Sequence, residues 1–186
     1  MHATEIAAEV RTSRRQGKYL VFHLGKEEFG VHVLKVREIM GIQEITSVPQ
    51  TPAFVKGVIN LRGKVIPVID LRSKFRLDEF DYTQRTCIIV LQVAHDNGDM
   101  LMGVIVDGVS EVLTIQEAEI EDTPEFGADM KMPYILGMAK IKGRVKILLD
   151  IDQVLTTVEV QGVSQVPGLM IPSMEPGSGA DPLPMS

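Results

Sequence analysis

The sequence predicts an all-β fold of two pseudo-equivalent barrels, about five strands each, that share one core and leave a groove where the halves meet. Three observations carry this. Most of the chain has the period-two apolar pattern of strands, in short β-branched runs broken by Gly, Pro and Asn-Gly turns. Only two short stretches carry helix signals. A pattern of residues in the first half returns, in the same order, in the second.

Residues 1–17 are polar, with helix-forming stretches such as Glu5-Ile6-Ala7-Ala8-Glu9, and are expected to be a flexible lead-in outside the core. The clearest strands are Tyr19 to Leu24, Lys64 to Ile69, Thr86 to Val93, Leu101 to Val106 and Arg144 to Leu149. Gly25-Lys26-Glu27-Glu28 and Asp96-Asn97-Gly98-Asp99 read as hairpin turns, because Gly and Asn tolerate positive φ. Asp70 to Phe75 and Asp150 to Leu155 read as short helices, each opened by an Asp able to cap free backbone N–H groups. From about Gly162 to Ser186 the chain carries Pro167, Pro172, Pro176, Pro182 and Pro184 among Gly and Ser, and is expected to be disordered, with Leu169, Met170 and Ile171 as a sticky spot. The expected organisation is a lead-in over 1–17, a folded unit over 18–160 and a tail over 161–186. The halves of the folded unit run roughly 18–80 and 81–158, with strands free to cross over between them.

The repeat is the most informative feature. Gly57-Val58-Ile59-Asn60-Leu61-Arg62-Gly63-Lys64-Val65 returns eighty residues later as Gly137-Met138-Ala139-Lys140-Ile141-Lys142-Gly143-Arg144-Val145, and Asp70-Leu71 falls on Asp150-Ile151. Phe75 falls on Leu155. Upstream, Gly30-Val31-His32-Val33 and Glu38-Ile39 fall on Gly103-Val104-Ile105-Val106 and Glu111-Val112, seventy-three residues later.

Composition narrows the class. With 186 residues, 45% apolar and 24% charged, the chain is expected to form one folded unit. No apolar run approaches the roughly 18 residues of a membrane span, and no basic-then-apolar signal opens the chain, so a cytoplasmic protein is expected. The lone Cys87, in an apolar run, excludes an internal disulfide and a multi-thiolate metal site and is expected to be an inert buried thiol. A net charge of −6 argues against nucleic acid, and the cluster Arg11, Arg14, Arg15 and Lys18 reads as a solvated end.

No motif for chemistry survives inspection. Gly57 to Val65 resembles a phosphate-binding loop, but five residues rather than four separate its glycines, and Val65 replaces the Ser or Thr that holds magnesium. A β-turn at Arg62-Gly63 inside a hairpin explains it better. His2, His23, His32 and His95 have no ligand spacing, and His23 and His32 read as surface-facing strand residues. Asp70 and Asp150 are explained by equivalent local capping rather than as a catalytic pair. Met40, Met100, Met102, Met130, Met132 and Met138 read individually as core fillers, with an adaptable binding surface as the alternative. No cofactor and no metal are expected.

Tyr19-Leu20-Val21-Phe22-His23-Leu24-Gly25 through Glu28-Phe29-Gly30-Val31, with Val36-Arg37-Glu38-Ile39, closely resembles the opening of the CheW family. Thr51-Pro52-Ala53-Phe54-Val55-Lys56-Gly57-Val58-Ile59-Asn60-Leu61-Arg62-Gly63 with Ile66-Pro67-Val68-Ile69-Asp70-Leu71-Arg72 is similar to that family's characteristic run, and Gly103 to Val109 is a third matching block. The resemblance covers about residues 18 to 158. It implies two SH3-like β-barrels and a non-enzymatic adaptor. Such an adaptor binds the regulatory domain of the histidine kinase CheA and the cytoplasmic helices of chemoreceptors, without nucleic acid and without membrane insertion, recruited to membrane-associated receptor arrays. Neither the kinase's ATP domain nor a receiver domain is expected within these 186 residues, and a free-standing adaptor fits the resemblance best.

Carried over residue by residue, the resemblance places Glu38 and Arg62 at the receptor-binding groove. Gly57 and Gly63 would permit close backbone approach there, and Val36, Ile39 and Val58 would supply apolar surface for a receptor helix. The planar fork of Arg62 suits a partner carboxylate or carbonyl groups. The structural alternative is that Arg62 pairs internally with Glu38 and simply fixes the barrel. The kinase is expected at the exposed end of the second barrel, by symmetry. The rival from another class is an enzyme or small-ligand sensor with a pocket between the barrels, and a related scaffold serving a motility system other than swimming would use the same fold.

Overall fold

The computed structural model describes residues 15–78, 81–95, 97–124 and 132–154. Strands β1 (Gly17–Leu24), β2 (Glu27–His32), β3 (Val36–Gly41), β4 (Val55–Leu61) and β5 (Lys64–Asp70) are followed by a short helix α1 (Leu71–Lys74). The order then repeats with β6 (Cys87–His95), β7 (Gly98–Val106), β8 (Gly108–Ile115), β9 (Ile120–Glu121), β10 (Ile135–Ile141), β11 (Arg144–Leu149) and α2 (Ile151–Val154). The fold is all-β with only short helices, as the sequence predicts.

Strand order is β8-β1-β2-β11-β10-β9 in one sheet and β3-β6-β7-β5-β4 in the other. Neither sheet is a half of the chain. Each takes its first hairpin, β1–β2 or β6–β7, from one half and its remaining strands from the other. The two junctions are parallel and equivalent: Leu148 stands opposite Gly30 where β11 meets β2, and Val68 opposite Gly103 where β5 meets β7. Those four residues are related by the two repeat spacings in the sequence.

Alternation on each strand divides the core in three. One face of both sheets meets in a shared core that includes Phe22, Phe29, Ile69, Leu91, Met102, Val104 and Leu149. The opposite faces enclose a smaller cluster in each barrel, around Ile59, Ile66 and Ile88 in one and Tyr19, Ile115 and Leu148 in the other. Phe22, Phe29, Phe75 and Tyr134 stack in series, with successive ring centroids 5.9, 5.7 and 5.6 Å apart, and so run from the first hairpin past α1 to the loop before β10. Met100 and Met102 are core fillers, as expected.

Local signals explain the connections. Arg62 and Gly63 have φ of +49° and +87°, and Lys142 and Gly143 of +53° and +76°, the paired positive values of a tight two-residue hairpin turn. The carboxylates of Asp70 and Asp150 accept from the backbone N–H of Arg72 at 2.9 Å and of Asp152 at 3.1 Å, so both act as local caps.

Several expectations need correction. The turn after β1 is only Gly25-Lys26; Glu27 and Glu28 already belong to β2, because Gly25 at φ +63° reverses the chain within two residues. Gly98 and Asp99 likewise open β7 instead of closing a four-residue turn. Two 3-10 turns, Val33–Lys35 and Glu117–Glu119, carry no side-chain cap and gave no helix signal. His32 does not face solvent freely, since its ring packs at a tilt against Tyr19, centroids 4.3 Å apart, with Nε2 3.0 Å from the phenol oxygen. Cys87 is half-buried, and burial pushes its thiol pKa up. Of the lead-in, Arg15 is tied to the second half by ion pairs to Glu117 and Asp122. Residues 1–14, Met130, Leu155 and the tail lie outside the described residues.

Candidate functional site

The predicted site residues sit on three connected pieces: Val36, Glu38 and Ile39 on β3, Gly57 and Val58 on β4, and Arg62 and Gly63 at the β4–β5 turn. β3 and β4 are the two edges of the five-stranded sheet. The sheet curls until the chain beyond β3 closes on β4, where the backbone N–H of Thr46 and Val58 each donate to the other's carbonyl at 2.9 Å. Gly57 makes that closure possible. It has φ +143°, and a Cβ there would lie 2.0 Å from the Thr46 carbonyl oxygen. The close backbone approach at Gly57 is therefore to the chain itself.

Across the closed edge, Arg62 Nη2 donates to Glu38 Oε2 at 2.7 Å and Nη1 to Oε1 at 3.3 Å. The pair is exposed, with side-chain accessibility of 74% for Arg62 and 32% for Glu38. The guanidinium holds the Glu38 carboxyl below its ordinary range, and the carboxylate raises Arg62 in turn. A bulge between Val36 and Glu38 aims this carboxylate. The internal pair weighed from the sequence thus exists, on the outside of the barrel.

The structure brings Glu38 and Arg62 together at one exposed surface; Ile39, the next residue on β3, is exposed on the opposite face of the strand, and Val36 packs partly against the shared core. Glu38 and Arg62 border a depression of about 480 Å³ also lined by Arg37, Lys64, Gln92, Asp99 and Leu101. The last three come from the β6–β7 hairpin of the other half. Sequence reasoning missed them because their place depends on the exchange of hairpins. A second depression, about 350 Å³, lies at the junction of β2, β11 and α2, beside Lys35, Asp150 and Asp152.

Two further ion pairs flank the sheet junctions, built with opposite polarity on the repeat-equivalent residues Arg72 and Asp152. Arg72, just after β5, makes a two-point pair with Asp107, whereas Asp152, just after β11, accepts from Lys35 at 2.8 Å. Among the described residues no cluster of His, Cys, Asp or Glu is arranged to hold a metal ion. No described helix is long and apolar enough to cross a membrane.

Residues 18–159 match the family model of the CheW-like domain. The chain is 40% identical to the chemotaxis protein CheW of Klebsiella aerogenes over 149 residues, 80% of this chain and 87% of that protein. It is 35% identical to the CheW of Bacillus subtilis over 150 residues, 81% and 92% of the two chains. The crystal structure of the scaffolding protein TtCheW from Thermoanaerobacter tengcongensis superposes with a TM-score of 0.68 at 32% identity, covering 77% of this chain and 95% of that one. A match over most of the chain, in sequence and in fold, settles the assignment: the chain belongs to the CheW-like domain family, as a non-catalytic scaffold or coupling protein of chemotaxis.

Proposed function

We propose that the chain couples the cytoplasmic helices of chemoreceptors to the regulatory domain of the histidine kinase CheA, acting in the cytoplasm within membrane-associated receptor arrays. The observation that carries this is the Glu38–Arg62 pair. An exposed ion pair contributes little to folding, yet this one is held in two-point geometry at the lip of a depression that Leu61, Met100 and Leu101 also line, with Ile39 and Val65 exposed elsewhere on the same sheet. Charges of both signs flanking apolar side chains on a rigid barrel suit a receptor helix, whose polar groups would set register while its apolar face supplies contact area. Val36, Gly57, Val58 and Gly63 complete the proposed groove, Val58 by its half-exposed side chain and the glycines by fixing the strand and turn that carry it.

The kinase is assigned to the other barrel. Val112 and Val145, 55% and 45% exposed, are the repeat equivalents of Ile39 and Val65, so the second sheet offers a related apolar surface. Substitutions there that leave kinase binding intact would count against this assignment. The test of the whole reading is co-sedimentation with receptor-containing membranes and CheA, comparing wild type with Arg62→Ala after a check that the variant is folded. Wild type is expected to join the complex and activate the kinase, and Arg62→Ala to fail. If wild type does not associate, the coupling function is wrong.

A further inference from the structure

We propose that the buried Glu28–Lys146 ion pair directs the exchange of hairpins, by selecting β11 rather than β5 as the strand on which β1–β2 docks. Glu28 and Lys146 are register partners where β2 meets β11, and their side chains form a salt bridge with accessibilities of 11% and 5%. Lys146 is the one buried lysine or arginine among the described residues. At the equivalent place in the other junction, two residues before the Val68–Gly103 partners, stand Ile66 and Leu101, both in the apolar cluster of that barrel.

Elsewhere the two junctions do not discriminate. Along β2–β11 the remaining partners are Phe29–Ile147, Gly30–Leu148 and Val31–Leu149. At the matching places along β7–β5 are Met102, Pro67 and the partners Gly103–Val68 and Val104–Ile69. All are apolar, glycine or proline, so either hairpin fits either sheet there. One further place differs, Asp70–Ile105 against His32 and Asp150, but an Asp stands on both sheets there and the His32 ring is held by Tyr19 of its own hairpin, so the Glu28–Lys146 place is the one that selects. Docking β2 on β5, within one half of the chain, would set Glu28 against Ile66; docking β7 on β11 would set Leu101 against Lys146. Docking β7 on β11 leaves the buried Lys146 ammonium without a carboxylate, which is strongly disfavoured, and docking β2 on β5 leaves Glu28 only His23 of its own hairpin and Lys64, the repeat equivalent of Arg144, at longer range; the exchanged arrangement pairs charge with charge and apolar with apolar.

The test reads strand pairing directly in purified protein, on a Cys87→Ser background. Val31→Cys with Leu149→Cys reports the exchanged junction, because those residues are register partners. Val31→Cys with Ile69→Cys reports the unexchanged one, since Ile69 is the repeat equivalent of Leu149. Each chain is unfolded, refolded, oxidised and scored on a non-reducing gel. With Glu28 and Lys146 in place, only the 31–149 cross-link is expected. Glu28→Leu with Lys146→Leu should raise the 31–69 product about tenfold or more, the change that about 1.4 kcal/mol of lost discrimination gives. Glu28→Lys with Lys146→Glu should restore exchange. A separate variant, Leu101→Glu with Ile66→Lys, makes both junctions alike in charge and should also yield a mixture. The proposal is overturned if either code-erasing variant refolds to the 31–149 product alone, or if charge reversal misassembles as much as the leucine variant.

Discussion

Glu38 lies on one edge strand of a sheet and Arg62 in the turn that ends the opposite edge strand, yet their side chains meet in a two-point ion pair, at 2.7 and 3.3 Å, on the outside of the closed barrel. The pair clasps the seam of the barrel and presents both charges to solvent. Because both groups are exposed, their contribution to folding is small and their effect on a partner is the readable one. Arg62→Ala and Glu38→Gln should melt within a degree or so of wild type while losing co-sedimentation with receptor membranes. Thermal unfolding and pelleting on the same preparations check this; a large fall in melting temperature would reassign the pair to stability.

Gly57 and Gly143 separate two reasons for glycine. Both have positive φ, but a Cβ at Gly57 would strike the Thr46 carbonyl oxygen at 2.0 Å, while one at Gly143 would meet nothing within 4 Å. Gly57→Ala should cost about 1–3 kcal/mol or more, by urea denaturation, because the barrel seam must open. Gly143→Asn should cost only a few tenths of a kcal/mol, since Asn tolerates the left-handed region.

The aromatic series predicts a gradient. Phe29 is 8% exposed and stacks on both Phe22 and Phe75, so Phe29→Ala should cost about 3–5 kcal/mol. Half-buried Phe75 should cost less on the same substitution. Equal losses would mean that the stack does not run through a common core.

Asp150 supplies a pH dependence. Burial raises its carboxyl pKa, and the neighbouring Asp152 raises it further. A carboxyl whose folded pKa exceeds its unfolded value favours folding while protonated, below the unfolded pKa near 3.9, and loses that contribution as pH rises through the folded value. Asp150→Asn keeps an oxygen to cap Asp152 N–H but does not titrate. Its melting temperature should therefore gain on wild type from about pH 4 to pH 7. A constant difference across that range would show that Asp150 titrates as an ordinary exposed carboxyl.

What the sequence determined by itself is what lies in short stretches. The Arg144–Leu149 strand, the turns at Arg62-Gly63 and Lys142-Gly143 and the caps at Asp70 and Asp150 are all legible, because alternation, positive-φ tolerance and capping act between residues a few places apart. The repeat announced two equivalent barrels, and the motif around Glu38 and Arg62 pointed to residues that do meet. Short features without such a signal, the two-residue β9 and the 3-10 turns, were silent.

Only the tertiary structure decided which strands share a sheet. The repeat is equally compatible with two self-contained halves, and the choice between them rests on contacts such as Lys146 with Glu28, 118 residues apart, and Arg72 with Asp107, 35 apart. Burial selects among pairings that local propensity leaves degenerate, and a buried charge discriminates most sharply because its unpaired alternative is the most costly.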